Sequence, residues 1–113
     1  MHEVGVMQQA LDIAVENARR SGGERIHRMT LRIGDLSGVV PEALSFAFDV
    51  VTQDTPAEGA ELILERVPAL CYCSTCQRTF EPAIPILDCP TCSCPSGDIR
   101  QGREIDLTSV EIS

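Results

Sequence analysis

The chain contains no lysine and no tryptophan, and only two histidines, His2 and His27. All nine basic residues are arginines, set against 17 Asp and Glu, for a formal charge of -8. Such a surface repels phosphate backbones and argues against a non-specific nucleic-acid binder. It suits metal cations or a basic partner, and as charge alone it serves solubility. Aromatics are 4% of the 113 residues, so the core must be assembled from Leu, Ile, Val, Ala and Met. No apolar run approaches the roughly 18 residues of a membrane helix. The first residues lack the basic and unbroken apolar stretches of a secretion signal. The expectation is a cytoplasmic protein with no membrane and no nucleic-acid partner. In that compartment six cysteines read as reduced thiols, better suited to metal than to disulfides. No Ser-His-Asp set, paired-acid motif or phosphate-binding glycine loop is visible, which argues against an enzyme.

What is present is ordered. Met7, Ala10, Leu11, Ala14, Val15 and Ala18 recur at spacings of three and four, the stripe of an amphipathic helix over 4–21. Gly22-Gly23 stops it. In RIHRMTLRIG, His27, Met29, Leu31 and Ile33 alternate with Arg28, Thr30 and Arg32, which predicts a half-buried strand with His27 packed on its inner side. Pro41 suits a first helical position, and Leu44, Ala47, Phe48 and Val51 form the apolar face of a second helix. ELILERVPA reads as a second strand and GREIDLTSVEIS as a third, with a slip in the alternation near Thr108. Between those two strands, residues 70–97 hold all six cysteines and four of the seven prolines, with little periodicity. Such a segment needs a staple to fold. The predicted fold class is therefore α+β: two helices on a three-stranded sheet, with a zinc-ribbon-like module inserted. The predicted units are 1–69 plus 98–113, and 70–97. A strand that returns after an insertion can be exchanged between chains, so monomer and domain-swapped homodimer both stay open.

Cys73-Ser-Thr-Cys76 and Cys89-Pro-Thr-Cys92 are separated by twelve residues. Each Cys-x-x-Cys can wrap a tight turn around one cation, and two facing turns make the tetrahedral four-sulfur site that Zn(II) accepts. Four thiolates leave no open position for water, so the site folds the module and hydrolyses nothing. Cys71 and Cys94 lie two residues outside the pairs; they could pair with each other, swap into the site or stand as spectators, and the tight Cys-x-x-Cys spacing favours the last. Iron also fits four sulfurs. A rubredoxin-like electron carrier, red when purified, is one rival; a zinc-ribbon adaptor for protein interactions is another. A ribbon for nucleic acid would want a basic face, and Arg78 is the single basic residue between Val67 and Ile99.

At the other end the chain reads Met1-His2-Glu3. A free α-amine, the amide nitrogen of His2 and its imidazole Nδ1 stand in consecutive chelate positions, closing a five- and a six-membered ring. Ni(II) or Cu(II) can displace the amide proton and hold such nitrogens in a plane. Glu3 adds an oxygen or a backbone donor. On these three residues alone the ordinary reading prevails, because a terminal histidine is more often simply solvated.

The start MHE, the stretches RIGDLSGVVPEALSFAFDVV and AEGAELILERVP, the paired knuckles CSTC and CPTC and the strand beginning GRE together resemble the HypA family of nickel metallochaperones. The resemblance covers essentially the whole chain. It implies Ni(II) as transient cargo held by His2 with Met1 and Glu3, structural Zn(II) on the four cysteines, and delivery for maturation of [NiFe]-hydrogenase. It also implies a HypB-type GTPase and the hydrogenase large-subunit precursor as partners. Some members bring a further nickel ligand from a histidine of the zinc module or an acid in the loop before the second helix. Here that module has no histidine, and Asp35 and Glu42 are the nearest acids to SGVVPE.

Overall fold

A computed structural model describes residues 3–113, in the order α1 (Glu3–Arg20), β1 (Ile26–Gly34), α2 (Pro41–Val51), β2 (Glu61–Val67), β3 (Leu70–Cys73), β4 (Arg78–Phe80), β5 (Ile99–Gln101) and β6 (Ile105–Ile112). These build two separate three-stranded sheets, ordered β2-β1-β6 and β4-β3-β5. The molecule is elongated, 54 × 24 × 17 Å. Among the described residues no helix is long and apolar enough to cross a membrane.

The large sheet is mixed. β1 runs parallel to β2 through the α2 crossover and antiparallel to β6. Met29, Leu31 and Ile33 point from β1 into one core with Met7, Leu11, Ala14 and Ala18 of α1 and Leu44, Ala47 and Phe48 of α2. Both helices therefore cover one face. The opposite face is polar: Arg28 reaches Glu61 on β2 and Glu111 on β6, clamping both neighbours to the middle strand. Both pairs are exposed and screened, so they fix register more than they stabilise. Two further arginines nearby are engaged within the chain, Arg20 by Glu16 and Arg25 by the carbonyl of Glu58. The arginines from 19 to 32 thus belong largely to a helix end and a solvated strand face.

Two irregularities shape the sheet. Thr30 faces Ser109 while Leu31 faces Leu107, so Thr108 is an extra residue, and its hydroxyl donates to the carbonyl of Thr30 at 3.3 Å. This is the slip expected near Thr108. A second shift lies between Ile26 and Arg28 and corrects the reading of His27. Ile26 is buried in its place, and His27 is exposed, its Nε2 beside the hydroxyl of Ser113.

Helix ends follow their chemistry. Gly22 adopts φ 78° after α1, letting the Gly23 N–H donate to the carbonyl of Ala18 at 2.8 Å. Pro41 opens α2, whose N-cap, Val40, has no side chain able to cap. The carboxylate of Glu3 serves instead, accepting the Val40 N–H at 3.1 Å. A capping box works the same way, except that here the acid comes from another helix.

The chain leaves the large sheet through Pro68-Ala69 and returns through Gly102. Backbone packing there is tight: a Cβ on Gly34 would lie 2.0 Å from the carbonyl oxygen of Gly102, and one on Gly102 would lie 2.8 Å from the Cα of Ala69. The Leu36 N–H donates to Gly102 at 2.7 Å, and the Asp35 N–H to Val67 at 3.0 Å. Arg66 grips the Asp35 carboxylate through two nitrogens, which holds that carboxyl below its ordinary value. Gly34→Ala is expected to destabilise the fold by about 3 kcal/mol, because backbone rather than a movable side chain blocks the new methyl. Urea titration of the two proteins checks this; equal midpoints would contradict it.

Candidate metal centre

The small sheet has strands of four, three and three residues. β3 is its middle strand, pairing with β4 and β5. Alternation along β3 puts Cys71 and Cys73 on one side, both buried, with Leu70 and Tyr72 on the other. Tyr72 carries the Arg100 guanidinium 4.4 Å above its ring, and Arg100 is held there by Asp98. The second pair of cysteines sits in the irregular segment between β4 and β5.

Both Cys-x-x-Cys turns use the same backbone device. The residue after each second cysteine is left-handed, Gln77 at φ 53° and Ser93 at φ 62°. That twist ends the knuckle and turns amides inward: the Cys76 N–H points at the Cys73 sulfur at 3.5 Å. In the second knuckle the Ser93 N–H donates to the carbonyl of Cys89 at 2.8 Å, and the Cys89 N–H to that of Cys94 at 2.9 Å. The Arg78 guanidinium meets the Thr91 hydroxyl, joining one knuckle to the other.

The outcome is a cluster in which the sulfurs of Cys73, Cys76, Cys89 and Cys92 all lie within 4.8 Å of one another. Cys73 to Cys92 is 3.5 Å and Cys76 to Cys89 is 3.9 Å. A tetrahedron of sulfurs at the usual zinc–sulfur distance of about 2.3 Å has edges of about 3.8 Å. The four cysteines therefore fit a tetrahedral cation of that size with little rearrangement. All six thiols are free of disulfides. Amides of Cys92 and Thr91 favour a thiolate at Cys89, bringing it down to about 6, while its neighbours' sulfurs, Cys92 first, push Cys76 up to about 12. Without a cation such a ring of sulfurs resists complete ionisation; a divalent ion resolves the conflict.

Cys71 and Cys94 stand outside the cluster. Cys71 belongs to the interior of the module, and burial raises its thiol. Cys94 contributes its carbonyl to the second knuckle, and the Thr75 hydroxyl lies 4.0 Å from its sulfur.

Of the three residues singled out at the N-terminus, Met1 and His2 lie outside the described residues. Glu3 opens α1, and its carboxylate is engaged by the N-terminus of α2, as described above. Sequence reasoning had no signal for that bond, since the partner is a backbone N–H 37 residues away.

Comparison with known proteins agrees with this architecture. Residues 1–112 match the family described as "Hydrogenase/urease nickel incorporation, metallochaperone, hypA". The chain is 48% identical over 112 residues to the hydrogenase maturation factor HypA of Picosynechococcus, covering 99% of both chains. It is 40% identical over 114 residues to that of Desulfosudis oleivorans, covering 99% of this chain and 98% of the other. Among solved structures, a HypA protein in solution matches with a TM-score of 0.70 at 25% identity, over 100% of this chain and 97% of its own. The nickel metallochaperone HypA of Helicobacter pylori shares the fold with a TM-score of 0.68 at 24% identity, over 99% and 97%. Two helices on a mixed sheet, a second sheet carrying four clustered cysteines, and a match along nearly every residue place this chain in the HypA family of hydrogenase-maturation nickel metallochaperones, carriers of metal rather than catalysts.

Proposed function

We propose that the chain holds Ni(II) through Met1, His2 and Glu3 and passes it to the large-subunit precursor of a [NiFe]-hydrogenase with a HypB-type GTPase, in the cytoplasm, while Zn(II) on Cys73, Cys76, Cys89 and Cys92 is structural. Full-length similarity to hydrogenase maturation factors carries this reading. With its carboxylate turned to Val40, Glu3 is better placed to offer its amide than its side chain. Nitrogen ligands favour Ni(II) over Mg(II) and Mn(II). Few ligands at a chain end suit release, whereas four sulfurs in a closed cage suit retention.

The test is transfer. Protein with an untagged N-terminus, loaded with radioactive nickel, is mixed with the purified GTPase and the precursor and then separated. Nickel is expected on the precursor, with the zinc left behind on the chain. Nickel that stays on the chain would contradict delivery.

A further inference from the structure

The nickel site leaves the cysteine module without a task beyond holding itself together. The segment between its knuckles, however, has an unusual tip. Residues 83–86 are Ala-Ile-Pro-Ile, all four exposed, with Ile84 at 46% and Ile86 at 59%. They form a closed turn: Ala83 and Ile86 bridge, and the Ile86 N–H donates to the carbonyl of Ala83 at 2.8 Å. Behind it the chain is anchored on one side by β4 and on the other by Cys89. The tip is thus a short, pre-ordered apolar prong, and neither isoleucine belongs to the molecule's core. Exposed, contiguous apolar residues on a rigid support mark contact sites, because little ordering entropy is lost when they bind.

We infer that this prong is a docking element for a protein partner whose surface offers an apolar cleft rimmed by Lys or Arg. The occupant follows from charge. Glu81 and Asp88, both exposed, flank the prong, and Arg78 is the module's one basic residue before Ile99. Four thiolates outweigh a divalent cation, so the filled metal site is itself anionic. The chain as a whole carries -8. A second copy of this chain would bring the same negative collar against the first, and an anionic membrane would repel it. A basic-rimmed cleft satisfies both the isoleucines and the acids. The inference rests on the proposed delivery to protein partners, and it assigns the metal module a role in that delivery: it holds the prong in shape.

The test compares wild type with the double variant Ile84→Asp, Ile86→Asp, and with Phe46→Ser as a control. Phe46 is 72% exposed on the outer side of α2, so it is an equally solvated apolar group elsewhere. Binding to the purified GTPase and to the purified precursor is measured by calorimetry, with zinc and nickel content counted in each protein. Expected is a weakening of at least about tenfold against one of the two partners for the prong variant, with both metals retained and the control unchanged. Prong-variant affinities equal to wild type for both partners would overturn the inference, as would equal loss in the control. A change only in self-association, or only in binding to vesicles of phosphatidylglycerol, would overturn it in favour of those occupants. Wild type that binds neither partner would remove the delivery reading itself, and this inference with it.

Discussion

Cys89→Ser is expected to empty the four-sulfur site and unravel the small sheet, leaving the large one folded. Zinc should fall from one per chain to near zero. Amide protons of β3, β4 and β5 should lose their protection from exchange, while those of α1, α2, β1 and β6 keep theirs. Burial supports this division. The core beneath the helices draws on residues up to Ala57 and on partly buried side chains of β2 and β6, and on none from the small sheet. The module's own fully enclosed side chains are Cys71 and Cys89, with Cys73 nearly so. Without metal that interior is a few thiols and strands of three or four residues, too little to offset the ordering of some thirty residues. A structural zinc ion contributes about 10–16 kcal/mol in comparable sites, and this is the term the substitution removes. Hydrogen exchange with metal analysis by mass spectrometry checks it. Full protection of β3 to β5 in zinc-free protein would show that the module folds unaided.

His2→Ala is expected to weaken nickel binding at least about a hundredfold and to leave zinc untouched. The imidazole closes the second chelate ring on the proposed site, so its loss removes a ligand and the plane it completes. The zinc site should not notice, because its four cysteines lie in the other sheet's module. Counting both metals on native-terminus protein, wild type against variant, reads the two sites independently. Equal nickel uptake by the variant would remove His2 from the carrier's work.

Much of this was legible in residue order, and the exceptions are instructive. The helices announce themselves because a stripe at three- and four-residue spacing has one physical solution, and Met7, Leu11, Ala14, Leu44 and Phe48 are indeed buried. The knuckles announce themselves because four cysteines in matched pairs have few uses. Even the bulge at Thr108 leaves a mark, since an extra residue shifts every later side chain to the other face. His27 misleads for the same reason in reverse: counting by twos backward from Met29 steps across a register shift that periodicity does not reveal. β5 is hidden altogether. Ile99–Gln101 is three residues, one of them Arg100, and it is a strand only because β3 lies beside it. The Glu3–Val40 bond is equally silent, being made with a backbone group that every residue but proline possesses.

The order of strands also sets a calendar for the growing chain. β1 is the middle of the large sheet, yet its antiparallel neighbour β6 is the last strand to be made. As the polypeptide emerges, α1, β1, α2 and β2 can gather first, with one edge of β1 unpaired. All four clustered cysteines then leave the ribosome before Ile105 does. The metal-holding module therefore has its opportunity to close while the sheet behind the N-terminus is still incomplete, and the half of the molecule that starts first finishes last.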